Sequence, residues 1–71
     1  MPTSANDEPQ NLIAQLQELR VEHRDLDEAI DRLVAAPTLD ELLLRRFKKR
    51  KLHLKDRITV IERLLEPDEL A

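Results

Sequence analysis

The apolar residues of this chain fall into two runs whose spacings mirror each other, with a proline between them. The first run is Leu12, Leu16, Leu19, His23, Leu26, Ile30 and Leu33, at steps that alternate four and three. The second, after Pro37, is Leu44, Phe47, Lys51, Leu54, Ile58, Ile61 and Leu65, at steps that alternate three and four. This alternation is the spacing of a coiled-coil seam, because it keeps one stripe of a helix turned towards a partner. Two stripes can close on each other in an antiparallel pair only when the gaps on one mirror the gaps on the other. Setting Leu33 against Leu44 brings every later pair into step: Ile30 with Phe47, Leu26 with Lys51, His23 with Leu54, Leu19 with Ile58, Leu16 with Ile61, Leu12 with Leu65. The expected fold is all-α, an antiparallel two-helix hairpin of coiled-coil type. Each seam carries one polar member, His23 or Lys51, near its middle.

The prolines set the boundaries. Pro9 suits the first turn of a helix, where its missing N–H would be unpaired in any case. Asp7, with Gln10 in third place, and Glu8 are both candidates for the cap before it. Pro37 disfavours helical geometry at Ala36, and Pro67 ends the second apolar pattern. The expected hairpin covers 9–66, with a first helix over about 9–35, a turn at 36–38 and a second helix over about 39–66. Residues 1–8 read as a disordered polar leader and 67–71 as a frayed end. Thr38-Leu39-Asp40-Glu41 reads as a capping box, with Thr38 at the N-cap and Glu41 in the third helical position. So short a connection makes the two helices antiparallel neighbours.

Composition agrees with this pattern and adds a consequence. The chain has 71 residues, no glycine, no cysteine and one aromatic residue, Phe47. Leu, Glu, Arg, Lys and Ala dominate, all good helix formers. A chain this short buries little surface and needs a disulfide, a metal or a partner. Without cysteine, disulfides and thiolate sites are excluded. The hairpin also leaves apolar groups beside its seam: Ile13, Val34, Leu43, Leu52 and Leu64, with Leu39, Leu42 and Val60 further round. These flanks are the expected contact with a second copy, giving a homodimeric four-helix bundle. Another helical protein is a further possible partner for them.

Charge supports the antiparallel pairing. In the first helix Glu18, Glu22, Asp25, Asp27, Glu28 and Asp31 outnumber Arg20, Arg24 and Arg32. In the second, bases crowd the stretch from Arg45 to Arg57, where Asp56 is the one acid. The layers place Asp27 near Lys48 and Lys51, and Glu22 near Arg57. Such exposed pairs contribute roughly 0.2–1 kcal/mol each, so they choose orientation more than they supply stability.

Two stretches resemble a known family. His23-Arg24-Asp25-Leu26-Asp27-Glu28-Ala29-Ile30 is similar to a His-x-x-Leu-Asp-x-x-Ile pattern. The run from Phe47 to Ile58 is similar to Leu-Lys-Lys-x-Lys-Leu-x-Leu-Lys-Asp-x-Ile, with Phe47 replacing the first leucine. Together they resemble the YdcH-like family of small bacterial proteins of unknown function. The resemblance implies a helical hairpin, often self-associating, with no established activity or cofactor.

The residues themselves give the motif a role. His23, Asp27 and Lys51 are expected to form a polar cluster that fixes register, as single polar core residues do at a cost in stability. His23 is expected to be partly buried and hydrogen-bonded, and His53 to be solvated. No catalytic residue, cofactor site or metal site is expected, since a site needs a nucleophile, a base and a pocket together and no His-Glu-x-x-His or Cys set is present. The expected function is a non-enzymatic, cytoplasmic protein–protein interaction and oligomerisation module. No membrane association is expected. The competing expectation is a nucleic-acid-associated protein that contacts phosphate through Arg45, Arg46, Lys48, Lys49 and Arg50. Against it stand the net charge of −3 and the lack of a set of aromatic residues for base stacking.

Overall fold

The computed structural model of the chain describes residues 8–66. The expected frayed end, and all of the expected leader but Glu8, lie outside the described residues. Two helices, α1 (Pro9–Ala35) and α2 (Glu41–Leu65), pack against each other as a hairpin. There is no strand among the described residues.

Each helix end has a local cause. Pro9 is the first residue of α1, and Glu8 before it is extended. The Glu8 carbonyl accepts from Leu12 N at 2.9 Å, but its carboxylate makes no capping bond. Asp7, the other candidate cap, lies outside the described residues. Both helices end in the residue before a pre-proline position. Ala36, before Pro37, and Glu66, before Pro67, are extended, and each N–H turns back to a carbonyl three residues earlier at 3.3 Å. Steric conflict with the proline ring enforces that geometry. Among the described residues no backbone torsion is left-handed, so these helices end without the glycine that usually closes one.

The start of α2 differs from the expected capping box. Asp40, not Thr38, is the N-cap, and its Oδ1 accepts from Leu43 N at 3.0 Å. Glu41 is thus the first helical residue, and the connection spans 36–40 rather than 36–38. Two pressures favour the later start. An ionised carboxylate at the N-cap makes a charge-assisted bond and also meets the positive end of the helix dipole, where a threonine hydroxyl offers only a neutral bond. The longer connection also lets the chain cross between axes that, in packed helices, stand roughly 8–10 Å apart.

The seam residues face inward along the whole hairpin, but not equally. Leu12, Leu16, Leu54 and Ile61 are buried, and Ile61 has no exposed surface. Leu12, Leu16 and Ile61 form one cluster, with Leu19, Ile58 and Leu65 packed on it. These are the members of three expected layers at the end remote from the turn. Nearer the turn, Leu26, Ile30, Leu33, Leu44 and Phe47 are only half-buried. The best-closed part of the hairpin is therefore the part most distant in sequence, which the connection alone could not hold together.

The cap assignment separates two substitutions. We expect Asp40→Ala to lower stability by about 1 kcal/mol. Thr38→Ala, at an exposed residue outside the helix, should change it by less than about 0.5 kcal/mol. Urea unfolding followed by circular dichroism at 222 nm reads both.

Candidate functional site

The polar interruption of the seam lies at mid-hairpin. The period of α1 puts His23 and Asp27 one turn apart, on the side that meets α2. The period of α2 puts Lys51 in its seam, between Phe47 and Leu54. Lys51 Nζ donates to Asp27 Oδ1, and His23 Nδ1 lies 3.8 Å from Asp27 Oδ2. The structure thus brings His23, Asp27 and Lys51 together. The His23 contact is longer than a hydrogen bond, and Nε2 is buried with no partner among the described residues. This corrects the expectation of a hydrogen-bonded histidine: the ring fills a place in an aliphatic seam, and the one nearby carboxylate is already taken by Lys51.

The Lys51 hydrogen bond holds the Asp27 carboxyl below its ordinary value of 3.8, against a smaller opposing effect of desolvation. The charges of Lys51 and His23 lower it further. All three groups are partly exposed, so water screens the cluster.

Two more ion pairs cross the seam, one on each face of the ribbon. Residues at multiples of seven share a face. Gln15, Glu22 and Ala29 of α1 lie with Leu43, Arg50, Arg57 and Leu64 of α2. Ile13, Arg20, Asp27 and Val34 lie with Lys48, Lys55 and Glu62. On the first face Arg50 Nε and Nη2 donate to Glu22 Oε2 at 3.1 and 2.8 Å. On the second, Arg20 Nη2 donates to Glu62 Oε2 at 2.7 Å. Glu22 therefore meets Arg50 and not Arg57, as the layers suggested. Arg50 and Arg57 occupy one stripe, and layer arithmetic sets backbone height without deciding which long side chain a carboxylate takes. Asp27 pairs with Lys51 and with no other lysine among the described residues. The Arg20–Glu62 pair had no forecast, although both residues lie on the Asp27 face at heptad spacing, which is the signal that would have found it.

The expected flanks divide between the two faces. Ile13, Val34 and Leu52 are exposed on the Asp27 side, and Leu64 is exposed on the Glu22 side, where Leu43 is half-buried. Of the candidate phosphate contacts, Arg50 is engaged by Glu22. Arg45, Arg46, Lys48 and Lys49 are exposed and form no ion pair among the described residues. No group of three or more His, Cys, Asp or Glu side chains among the described residues could hold a metal ion. No helix among them is long and apolar enough to cross a membrane.

Fold and polar centre together define a small all-α protein, an antiparallel hairpin closed by an aliphatic seam with a charged interruption. Residues 16–62 match the family described as "Protein of unknown function (DUF465)". The chain belongs to that family, which is also the family of the YdcH-like proteins. No curated protein matches the chain, and no solved structure matches it.

The lowered Asp27 pKa gives a signed pH dependence. A carboxyl whose folded-state pKa is depressed stabilises the fold fully above its unfolded value, and the gain is lost as pH falls through the folded value. We expect the hairpin to lose stability as pH drops below 3.8. Asp27→Asn should flatten that part of the profile, as read by thermal melts across pH.

Proposed function

We propose that the hairpin is a non-enzymatic self-association module, in which two copies stack face to face as a four-helix bundle. One observation carries this reading: among the described residues eight large aliphatic side chains are exposed, whereas four side chains are buried. A large aliphatic side chain gains roughly 1.5–3 kcal/mol on full burial. A ribbon of two helices can realise that only by being covered.

The face that carries Leu43 and Leu64 suits a second copy best. Val60 extends its apolar surface on α2, and Ala29 allows close approach on α1. Its charges are self-complementary. Glu18 and Asp25 border it on α1, and Arg46 and Arg57 border or lie on it on α2. Turning one copy by a two-fold axis sets α1 of each over α2 of the other, acid over base. Favourable charge placement of this kind selects orientation and partner more than it adds affinity.

The Asp27–Lys51 pair supports a role in alignment. An ion pair this exposed contributes little net stability, since water screens the attraction. Its benefit is that slipping the helices by one layer would strand Lys51 in an aliphatic seam. We expect Lys51→Leu to raise the melting temperature and to broaden the distribution of assembly sizes. A variant that loses stability and keeps a single assembly would contradict the alignment role.

Exposed Arg45, Arg46, Lys48 and Lys49 support a second reading, contact with nucleic-acid phosphates. Salt separates the two: phosphate contacts weaken steeply between low and moderate salt, whereas aliphatic packing does not. In sedimentation velocity at tens of micromolar and moderate salt we expect a dimer. Val60→Glu combined with Leu64→Glu should give a folded monomer, and Leu52→Glu, on the opposite face, should not. A wild-type chain that stays monomeric at high micromolar concentration would refute the proposal.

A further inference from the structure

A cavity of about 350 Å³ opens between the helices on the Asp27 face, lined by His23, Ile30, Lys48, Lys51, Leu52 and Lys55. That is within the range of small-molecule sites. Its chemistry is one-sided. Lys48, Lys51 and Lys55 follow each other on α2 at steps of three and four, so three ammonium-bearing chains border one hollow. Like charges at this spacing destabilise a helix unless an anion stands among them. Lys51 is held by Asp27, whereas Lys48 and Lys55 form no ion pair among the described residues. His23 borders the same hollow, and its buried Nε2 has no partner. Ile30 and Leu52 supply apolar wall, and Leu52 is 62% exposed.

We propose that this cavity binds a small phosphate monoester with an apolar body. Lys48 and Lys55 take the phosphate oxygens, and the His23 ring, whose Nε2 is buried in the seam, forms part of the wall. Lys51, fixed by Asp27, neutralises that carboxylate, which would otherwise repel the ligand. The apolar body lies on Leu52 and Ile30. The donor set favours phosphate over carboxylate. A phosphate monoester carries about −1.5 to −2 charge near pH 7, which two separate ammonium point charges balance, whereas a carboxylate carries a single charge. The site lies on the face opposite Leu43 and Leu64, so it is independent of the self-association reading.

Titration of the full ¹⁵N-labelled chain with phenyl phosphate, at fixed ionic strength and followed by amide shifts, tests the proposal. Inorganic phosphate and a short oligodeoxynucleotide are titrated in parallel. Saturable shifts centred on His23, Lys48, Leu52 and Lys55 are expected, with phenyl phosphate at least tenfold tighter than inorganic phosphate. Lys48→Gln with Lys55→Gln should weaken phenyl phosphate at least tenfold. Arg46→Gln with Lys49→Gln, which removes as much charge outside the cavity, should weaken it less than twofold. Equal losses in the two variants, shifts that grow without saturating, or inorganic phosphate binding as tightly would each overturn the proposal. An oligodeoxynucleotide that shifts the same amides more tightly than phenyl phosphate, and is weakened equally by both variants, would overturn it in favour of backbone contacts.

Discussion

The packing of Leu12 and Leu16 against Ile61 is the contact on which the rest of the hairpin depends. Most helical stability in proteins comes from burying an apolar stripe and not from propensity. Each helix here has one such stripe, and only the other helix covers it. The cluster around Ile61 sits at the end remote from the connection. Once it forms, the intervening layers are brought to the right height and the ion pairs on both faces can close.

Those ion pairs act on geometry more than on stability. Arg20–Glu62 and Glu22–Arg50 lie on opposite faces of the seam and are largely exposed, so each contributes at most about 1 kcal/mol. Placed on both sides, they resist rotation of one helix about its axis, which the smooth aliphatic stripe does not. Asp27–Lys51 lies within the seam and adds resistance to sliding. Leucine and isoleucine hold the helices together, and we propose that charge decides how they are aligned. A ribbon organised in this way keeps two broad outer faces. One carries Leu43 and Leu64 and is the face we propose for a second copy, and the other carries the lysine-lined cavity.

Much of this was legible in the sequence because a coiled-coil seam is a periodic feature. Every one of the residues at alternating three and four spacing, from Leu12 to Leu33 and from Leu44 to Leu65, is buried or half-buried. The juxtaposition of Asp27 with Lys51 followed from the same arithmetic. What period alone could not give was decided by local competition and by side-chain reach. Thr38 and Asp40 both have cap chemistry, and the stronger acceptor with the better-placed crossing prevailed. Glu22 had two arginines on one stripe and took Arg50. His23 fitted the seam pattern, but spacing sets the place of a ring and not the partners of its nitrogens. The cavity beside it arises from the shapes of six side chains on two helices, which no spacing in either helix records.

Methyl NOE measurements on an Ile- and Leu-labelled sample test the antiparallel seam most directly, with a mixed labelled and unlabelled sample to separate contacts within a chain from those between chains. The account predicts strong intrachain NOEs from the Ile61 δ1 methyl to the methyls of Leu12 and Leu16. Intrachain NOEs from Ile61 to Leu26 or Ile30 instead, or none to the first helix at all, would contradict it.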